Sequence, residues 1–345
     1  MRKKTSYTRL LASLATLSVV SLPPIAHADA LAEFYKGNTI RIIVGTQAGT
    51  GFDLYARTLA RHFGGQMPGN PDTVVQNMPG ASGITAANWM ANVGPKDGTV
   101  LATVPFTVPF EPLLEDGKGL FDAPKLTWIG NMDSSVSICT VSTKLGIKSF
   151  DELMNREILV GGTGRAGPLA QVPHALARLT GAKIKVIDGY KGSRDVKLAI
   201  QRGEVHGICG ISYSTVLTQY ADVHESGEMR MILQVGPEPH PDIKDITHVY
   251  EYAKSDEDRQ VYDLIFGTQG LGRSYVAASG IPADRAAALR KAFAATLEDP
   301  QFLAEAKKAR LDLRWQTGET VQAFVARLYA SPKPVVERAR AVLKH

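Results

Sequence analysis

Three glycine-rich segments contain the residues of this sequence best suited to binding a ligand. Residues 45–51, 79–83 and 161–167 each follow an apolar run that predicts a strand and precede a helical pattern. Such a turn presents unpaired backbone N–H groups at a helix N-terminus, where the helix dipole favours a nearby anion by about 0.3–1 kcal/mol. One such loop alone is more typical of a tight connection, but three at strand ends favour a carboxylate-binding cleft. Small hydroxyl side chains add donors in all three: Thr46, Thr50, Ser82 and Thr163.

The third segment also matches a dinucleotide-binding fingerprint. Gly162, Gly164 and Gly167 have the G-x-G-x-x-G spacing, and Asp188 follows at the end of the next predicted strand. In dinucleotide-binding domains such glycines admit a pyrophosphate, and the acidic residue binds a ribose. An exported oxidoreductase that uses the turn at residues 162–167 is therefore the alternative function. Against it, NAD is a cytosolic cofactor, and the chain carries an export signal.

Catalytic and metal-binding motifs are missing from the sequence. Residues 80–83 have the wrong spacing for the G-x-S-x-G nucleophile elbow of a hydrolase. The histidines lack the H-E-x-x-H pattern and any two-Cys/two-His spacing, so a catalytic zinc is not predicted. Asp53, in the first helical turn after the first loop, would interact with the helix dipole, orient the loop or meet an ammonium group of the ligand. We expect a protein without enzymatic activity, metal or cofactor.

Short apolar runs alternate with glycine-rich turns and helical periods over the first two thirds of the chain. The predicted strands are Thr39–Val44, Asp72–Asn77 and 100–104, and then 158–160, Ile184–Ile187 and 205–211. The remaining third has mostly helical periods. This alternation predicts an α/β fold with largely parallel sheets, in two units that are joined by strands crossing between them.

The N-terminus has the three parts of a secretory signal peptide. Four cations, Arg2, Lys3, Lys4 and Arg9, accompany the uncharged, mostly apolar residues 10–22, and Ala26-His27-Ala28 follows as a cleavage site. The apolar run is too short to span a bilayer. We therefore expect residues 1–28 to be removed near Ala28 and the mature chain to lie outside the cytoplasm.

The positive net charge is concentrated in that leader. The whole chain has a formal net charge of +5, but 39 basic residues less the four leader cations leave 35 against 34 acidic residues. A nearly neutral mature chain predicts no nucleic-acid or anionic-membrane partner. The composition, 44% hydrophobic and 21% charged, is that of a globular protein and excludes a disordered chain.

The two cysteines leave one pairing open. Cys139 and Cys209 both lie in apolar runs that predict strands, and an exported protein meets an oxidising environment. A disulfide between neighbouring strands and two buried free thiols are both compatible with these positions.

Several motifs resemble the Bug family, the extracytoplasmic solute receptors of tripartite tricarboxylate transporters. These motifs are residues 51–57 (GFDLYAR), 68–71 (PGNP), 74–80 (VVQNMPG) and 95–99 (PKDGT), together with 189–192 and 202–210, which are similar to one branch of the family. The resemblance extends over nearly the whole chain after the leader. It implies a monomeric, two-domain periplasmic binding protein of the Venus-flytrap, type II-like kind. Such a receptor closes on a small organic carboxylate and delivers it to a membrane permease.

The resemblance also implies domain limits and a ligand site. Domain 1 comprises residues 29–132 and 232–345, and domain 2 comprises residues 133–231. The implied ligand-binding residues are Thr46, Gln47, Thr50, Gly51, Asp53, Ser82, Phe106 and Thr107 from domain 1, and Thr163, Gly164, Arg165, Tyr190, Ser212 and Tyr213 from domain 2.

Two positions depart from the family pattern. Arg165 stands where members usually have a small residue, and Lys191 stands where one branch often has proline. Either side chain could meet a ligand carboxylate, since arginine offers a bidentate fork, or could be a solvated loop cation. We expect Arg165→Ala to weaken carboxylate binding at least tenfold, about 1.4 kcal/mol.

Overall fold

The computed structural model describes residues 25–114, 119–134, 136–164 and 166–344. Most of the predicted leader, residues 1–24, lies outside these ranges, and the first helix, Ile25–Lys36, spans the predicted cleavage site near Ala28. No helix in the described ranges is long and apolar enough to cross a membrane.

The described residues form eleven strands and thirteen α-helices. The strands are β1 Thr39–Val44, β2 Asp72–Asn77, β3 Val100–Thr103, β4 Thr127–Asn131, β5 Ser137–Ser142, β6 Ile158–Gly161, β7 Ile184–Ile187, β8 Gly207–Ser212, β9 Met229–Val235, β10 Ser274–Ala277 and β11 Gln316–Thr317. The helices are α1 Ile25–Lys36, α2 Gly51–Gln66, α3 Ile84–Asn92, α4 Glu111–Leu114, α5 Pro168–Thr180, α6 Ser193–Arg202, α7 Tyr213–Gln219, α8 Ala221–Glu225, α9 Asp256–Phe266, α10 Ala283–Glu298, α11 Pro300–Lys308, α12 Gly318–Tyr329 and α13 Lys333–Leu343.

The first sheet has the strand order β11–β4–β10–β3–β1–β2. β1 lies parallel to both β2 and β3, because α2 and α3 carry the chain back across the sheet between them. Three side chains spaced four residues apart are buried on the inner face of α2: Tyr55, Leu59 and Phe63. This part of the chain confirms the predicted alternation, with β1 and β2 at the predicted positions.

The second sheet has the strand order β7–β6–β8–β5–β9. β6 pairs parallel with β7 and β8, while β5 is antiparallel to β8 and β9. In the first sheet β10 is likewise antiparallel to β3 and β4. Both sheets are therefore mixed rather than largely parallel, because β5 and β10, the first strands after the chain crosses between the sheets, run opposite to their neighbours.

Two chain segments cross between the sheets. One joins the end of β4 to the start of β5, and the other leads from β9 back to β10. Since β9, Met229–Val235, lies in the second sheet, that sheet extends past the predicted boundary at residue 231. Ile243 also packs in the apolar cluster of the second unit. We call the units that contain the first and second sheets lobe 1 and lobe 2.

A disulfide bridge joins two neighbouring strands of lobe 2. Cys139 on β5 and Cys209 on β8 are register partners, and their Sγ atoms are bonded. Both residues are fully buried. Of the two alternatives open at the level of sequence, the structure has the bridge.

Candidate functional site

A cavity of about 290 Å³ lies between the two lobes, close to the lower limit of the roughly 300–1,000 Å³ typical of small-molecule sites. It is lined by the segments that follow β1, β2 and β3 in lobe 1 and β6, β7 and β8 in lobe 2. The first residues of α2, α5 and α6 are among them. Nine of the implied ligand residues line it: Thr46, Gln47, Thr50, Gly51, Ser82, Phe106, Thr163, Tyr190 and Ser212.

Asp53 is turned away from the cavity and orders the first loop. Its Oδ2 accepts hydrogen bonds from Gly49 N at 2.8 Å and Arg57 Nε at 3.0 Å. Its Oδ1 accepts one from Asn77 Nδ2 at 2.9 Å, and the same amide also donates to Thr46 O. Burial acts to raise the pKa of Asp53, but these hydrogen bonds and the Arg57 charge lower it overall. The carboxylate is thus occupied in positioning the loop, which is the second of its three expected roles.

Three other implied residues do not line the cavity. Thr107 Oγ1 donates to Ala166 O at 2.6 Å, which joins the two lobes beside the cavity. The buried ring of Tyr213 packs on His240 with their centroids 4.6 Å apart. Gly164 faces Ser82, whose hydroxyl would lie 3.1 Å from a Cβ atom at that glycine. Arg165, the cation on which the sequence hypothesis placed most weight, lies outside the described residues.

The loop at residues 79–83 has an unusual backbone. Gly80, Ala81, Ser82 and Gly83 have φ values of 145°, 43°, 56° and 106° in succession. Non-glycine residues seldom adopt positive φ, and such conformations concentrate at ligand-binding sites. The run folds into a tight turn in which Gly83 N donates to Gly80 O at 2.8 Å, and residues 79–82 form one wall of the cavity.

Arg273, which sequence reasoning missed, lies in the cavity wall. It directly precedes β10 and is 1% exposed. Its guanidinium stacks on Phe52, with Cζ 4.2 Å from the ring centroid, and Nη2 donates to Thr215 Oγ1 at 3.1 Å. No motif surrounds it. The one local signal is a cation placed directly before the apolar strand Ser274–Ala277.

The electrostatics of the described lining favour an anion. The charged side chains along it are Arg273, in its wall, and the exposed Lys191, while no Asp or Glu contributes to that lining. A buried arginine keeps its charge and presents several donors in a planar fork. The cavity therefore offers a fixed positive group together with hydroxyls and helix N-termini.

The two lobes touch each other around the cavity. Gln219 Nε2 in lobe 2 donates to Gly49 O in lobe 1 at 3.1 Å. This bond, the bond from Thr107 to Ala166 and the contact between Arg273 and Thr215 cross from one lobe to the other. The structure is therefore in a closed arrangement.

Two side chains lie close to the glycines of the turn that resembles a dinucleotide fingerprint. A Cβ atom at Gly162 would lie 2.3 Å from Asp188 Oδ1. The hydroxyl of Ser82, from the opposite lobe, would lie 3.2 Å from a Cβ atom at Gly167. In the closed arrangement, Ser82 of lobe 1 thus lies over the last two glycines of the turn.

Comparisons with known proteins agree on the fold. No protein-family model matches the chain. It is 27% identical over 228 residues to the "UPF0065 protein in gbd 5'region" of Cupriavidus necator. That match covers 64% of this chain and only 65% of the curated relative.

Solved structures align over most of the chain. A periplasmic transporter aligns with a TM-score of 0.68 at 20% identity, covering 90% of this chain and 97% of the other. The periplasmic binding protein BugD aligns with a TM-score of 0.67 at 19% identity, covering 88% and 97%. MatC of Rhodopseudomonas palustris, solved with bound malate, aligns with a TM-score of 0.66 at 16% identity, covering 89% and 99%. The chain therefore has the two-domain fold of the periplasmic binding proteins, in the form shared with BugD and MatC, which confirms at the level of the fold the resemblance in its motifs.

Proposed function

We propose that the protein is an extracytoplasmic receptor that captures a small organic carboxylate between its two lobes. It delivers this solute to the permease of a tripartite tricarboxylate-type transporter. The observation that carries the proposal is the position of Arg273, a buried cation in a cavity that both lobes line. MatC, which shares the fold, was solved with malate, a small carboxylate, and this supports the same ligand class.

Capture follows from contacts that only the closed arrangement offers. A carboxylate at Arg273 would lie beside Phe52 of lobe 1 and Thr215 of lobe 2. A ligand shifts a conformational equilibrium by its difference in affinity for the two states. Since residues from both lobes meet the ligand together only when the lobes are closed, binding stabilises closure, which is the hinge mechanism of periplasmic binding proteins.

The location and the partner follow from the same proposal. The leader at residues 1–28 would direct export, with cleavage near Ala28, and the mature receptor would act in the periplasm as a monomer. Its partner is the membrane permease, and it uses no cofactor, metal or nucleic acid.

A thermal-shift screen against small carboxylic acids tests the function. A ligand at 100 times its dissociation constant adds about 2.7 kcal/mol to the stability of the folded state. We expect at least one of malate, succinate, adipate, glutarate, citrate, glutamate and benzoate to raise the melting temperature, while the matching amides do not. Stabilisation by NAD(P), or absorbance from a co-purified cofactor, would instead support the oxidoreductase alternative. No stabilisation by any acid would overturn the receptor proposal.

A further inference from the structure

A second buried charge lies behind Arg273, at the point where the chain crosses between the lobes. Asp133 is fully buried, and neither of its carboxylate oxygens accepts a hydrogen bond from a described residue. Arg273 Nε is likewise buried without a partner among those residues. Asn131 Oδ1 accepts hydrogen bonds from both Asp133 N and Arg273 N, at 3.4 Å and 2.9 Å. The acid and the cavity arginine therefore flank one side chain at the end of β4.

The other charged groups near Asp133 already have partners. The Asp312 carboxylate contacts His240 Nε2 at 3.1 Å and Arg314 Nε at 3.7 Å. The Tyr55 hydroxyl donates to Asp312 O and accepts from Asp312 N, both at 2.9 Å. Asp133 is thus the acid of this cluster whose carboxylate has no direct partner and is influenced by the Arg273 charge.

With both acids ionised, this cluster has no net charge while the cavity is empty. Two arginines, Arg273 and Arg314, face two acids, Asp133 and Asp312. A ligand carboxylate at Arg273 adds a negative charge to a region from which water is largely excluded. An uncompensated buried charge is strongly unfavourable, and a carboxyl group relieves it by taking up a proton.

We propose that Asp133 is a positioning residue that takes up a proton when the ligand carboxylate binds at Arg273. This inference rests on the proposed function. The proton passes from solvent to a carboxylate oxygen of Asp133, and no covalent bond of the ligand changes. Asp133 then becomes a neutral group, and the ligand carboxylate is the anion that pairs with Arg273.

The sign of the pH dependence follows from the ionisation of Asp133. Burial raises the pKa of this carboxyl to about 7, although the Arg273 charge acts to lower it. A bound carboxylate that competes for Arg273 raises this pKa further. Below about pH 7, Asp133 is already mostly protonated in the free protein, so ligand binding causes little further proton uptake. Above that pH each binding event takes up as much as one proton, so affinity falls by up to about tenfold per pH unit.

Isothermal titration calorimetry in two buffers tests the proposal. The probe is the acid of the thermal-shift screen that stabilises the protein most, titrated at about pH 8 in phosphate and in Tris, whose ionisation enthalpies differ. We expect the observed enthalpy to depend on the buffer in the sense of proton uptake, by about 0.5–1 proton per ligand. In Asp133→Asn we expect binding to persist, the buffer dependence to disappear and the affinity to become level between about pH 6.5 and 8.5.

Asp122→Asn is the control, since Asp122 is a half-exposed acid that pairs with Lys125 and does not line the cavity. It should keep the full proton uptake. Binding of the probe without proton uptake in the unmodified protein would overturn this inference and leave the proposed function intact. Uptake that persists in Asp133→Asn would overturn the assignment to Asp133, and failure of every acid to bind would remove both proposals. If Asp133→Asn does not fold, the affinity of the unmodified protein as a function of pH still tests the assignment, because uptake by Asp133 predicts an affinity that levels off below about pH 7. An affinity that keeps rising below that pH would overturn it.

Discussion

At the scale of single residues, position along the chain is a poor guide to which charge meets the ligand. Asp53 lies beside a cavity loop, yet its carboxylate is held by Gly49, Arg57 and Asn77 on the far side of that loop. Arg273 is distant in sequence from the three glycine-rich segments at residues 45–51, 79–83 and 161–167, yet it lines the cavity with them. The difference arises because the fold turns the Asp53 carboxylate towards its own loop, whereas it brings the Arg273 side chain into the cavity wall.

The first prediction concerns Arg273→Lys. Lysine keeps the charge but lacks the planar fork and the stacking on Phe52. Since a charge-assisted hydrogen bond contributes about 1.5–3 kcal/mol, we expect carboxylate affinity to fall between about tenfold and 150-fold. Calorimetric titration with the best acid of the screen measures this. Lys191→Ala, at an exposed cation of the rim, should lower affinity much less, and equal losses in the two variants would contradict a special role for Arg273.

At the scale of secondary structure elements, close contacts between backbones place the loops. Gly210 on β8 has a φ of +85°, and a Cβ atom there would lie 2.2 Å from Pro168 O at the start of α5. This contact sets how closely α5 approaches the sheet, and it thereby places the loop at residues 161–167. A glycine is required at this position for both its conformation and its lack of a side chain.

The second prediction compares Gly210→Ala with Gly227→Ala. Gly227 has a similar φ of +74°, but a Cβ atom there would meet nothing within 4 Å. Both changes carry the strain of a left-handed residue, about 1–2 kcal/mol, and only Gly210→Ala adds a clash worth about 1–3 kcal/mol. Urea denaturation should therefore find Gly210→Ala the less stable variant, with weakened ligand binding. Equal stability of the two would refute the role of the contact between β8 and α5.

The third prediction concerns the bridge between β5 and β8. Cys139 and Cys209 are bonded across paired strands, and a periplasmic location supplies the oxidising conditions. Protein purified from the periplasm should gain the mass of two hydrogen atoms on reduction after unfolding, as measured by intact-mass spectrometry. Cys139→Ser should show no such change, and an unchanged mass for the unmodified protein would mean that the thiols are free.

At the scale of the whole molecule, two of the hydrogen bonds between the lobes involve residues beside the cavity. Thr107 Oγ1 donates to Ala166 O at 2.6 Å, and Gln219 Nε2 donates to Gly49 O at 3.1 Å. Each hydrogen bond contributes only about 0.5–1.5 kcal/mol net. Removal of one such bond should therefore shift the equilibrium between open and closed lobes only modestly, and ligand contacts to both lobes shift it further towards closure.

The fourth prediction uses Thr107→Val, which keeps the side-chain shape but removes the bond between the lobes. We expect ligand affinity to fall about two- to tenfold, because the closed state loses one hydrogen bond and opens more often. Calorimetry measures the affinity, and small-angle scattering measures the compaction on binding. Thr296→Val is the matched control, since Thr296 is equally buried and donates to Ala292 O within α10 alone. It should leave affinity unchanged, and an equal loss there would show that the effect is not one of closure.

The local features of this protein follow from its sequence alone. The strands at Thr39–Val44 and Asp72–Asn77 and the glycine-rich turns after them were predictable, because apolar periodicity and turn chemistry depend on neighbours a few positions away. The spacing of three similar turns even indicated that they share one cleft.

The tertiary structure decided what depends on residues far apart in the chain. Three features result from the path of the chain between the lobes. They are the mixed direction of the sheets, the orientation of Asp53 away from the cavity, and the position of Arg273 in the cavity wall near Asp133. The physical reason is that burial and charge pairing are set by three-dimensional packing, which brings together side chains that no local pattern connects.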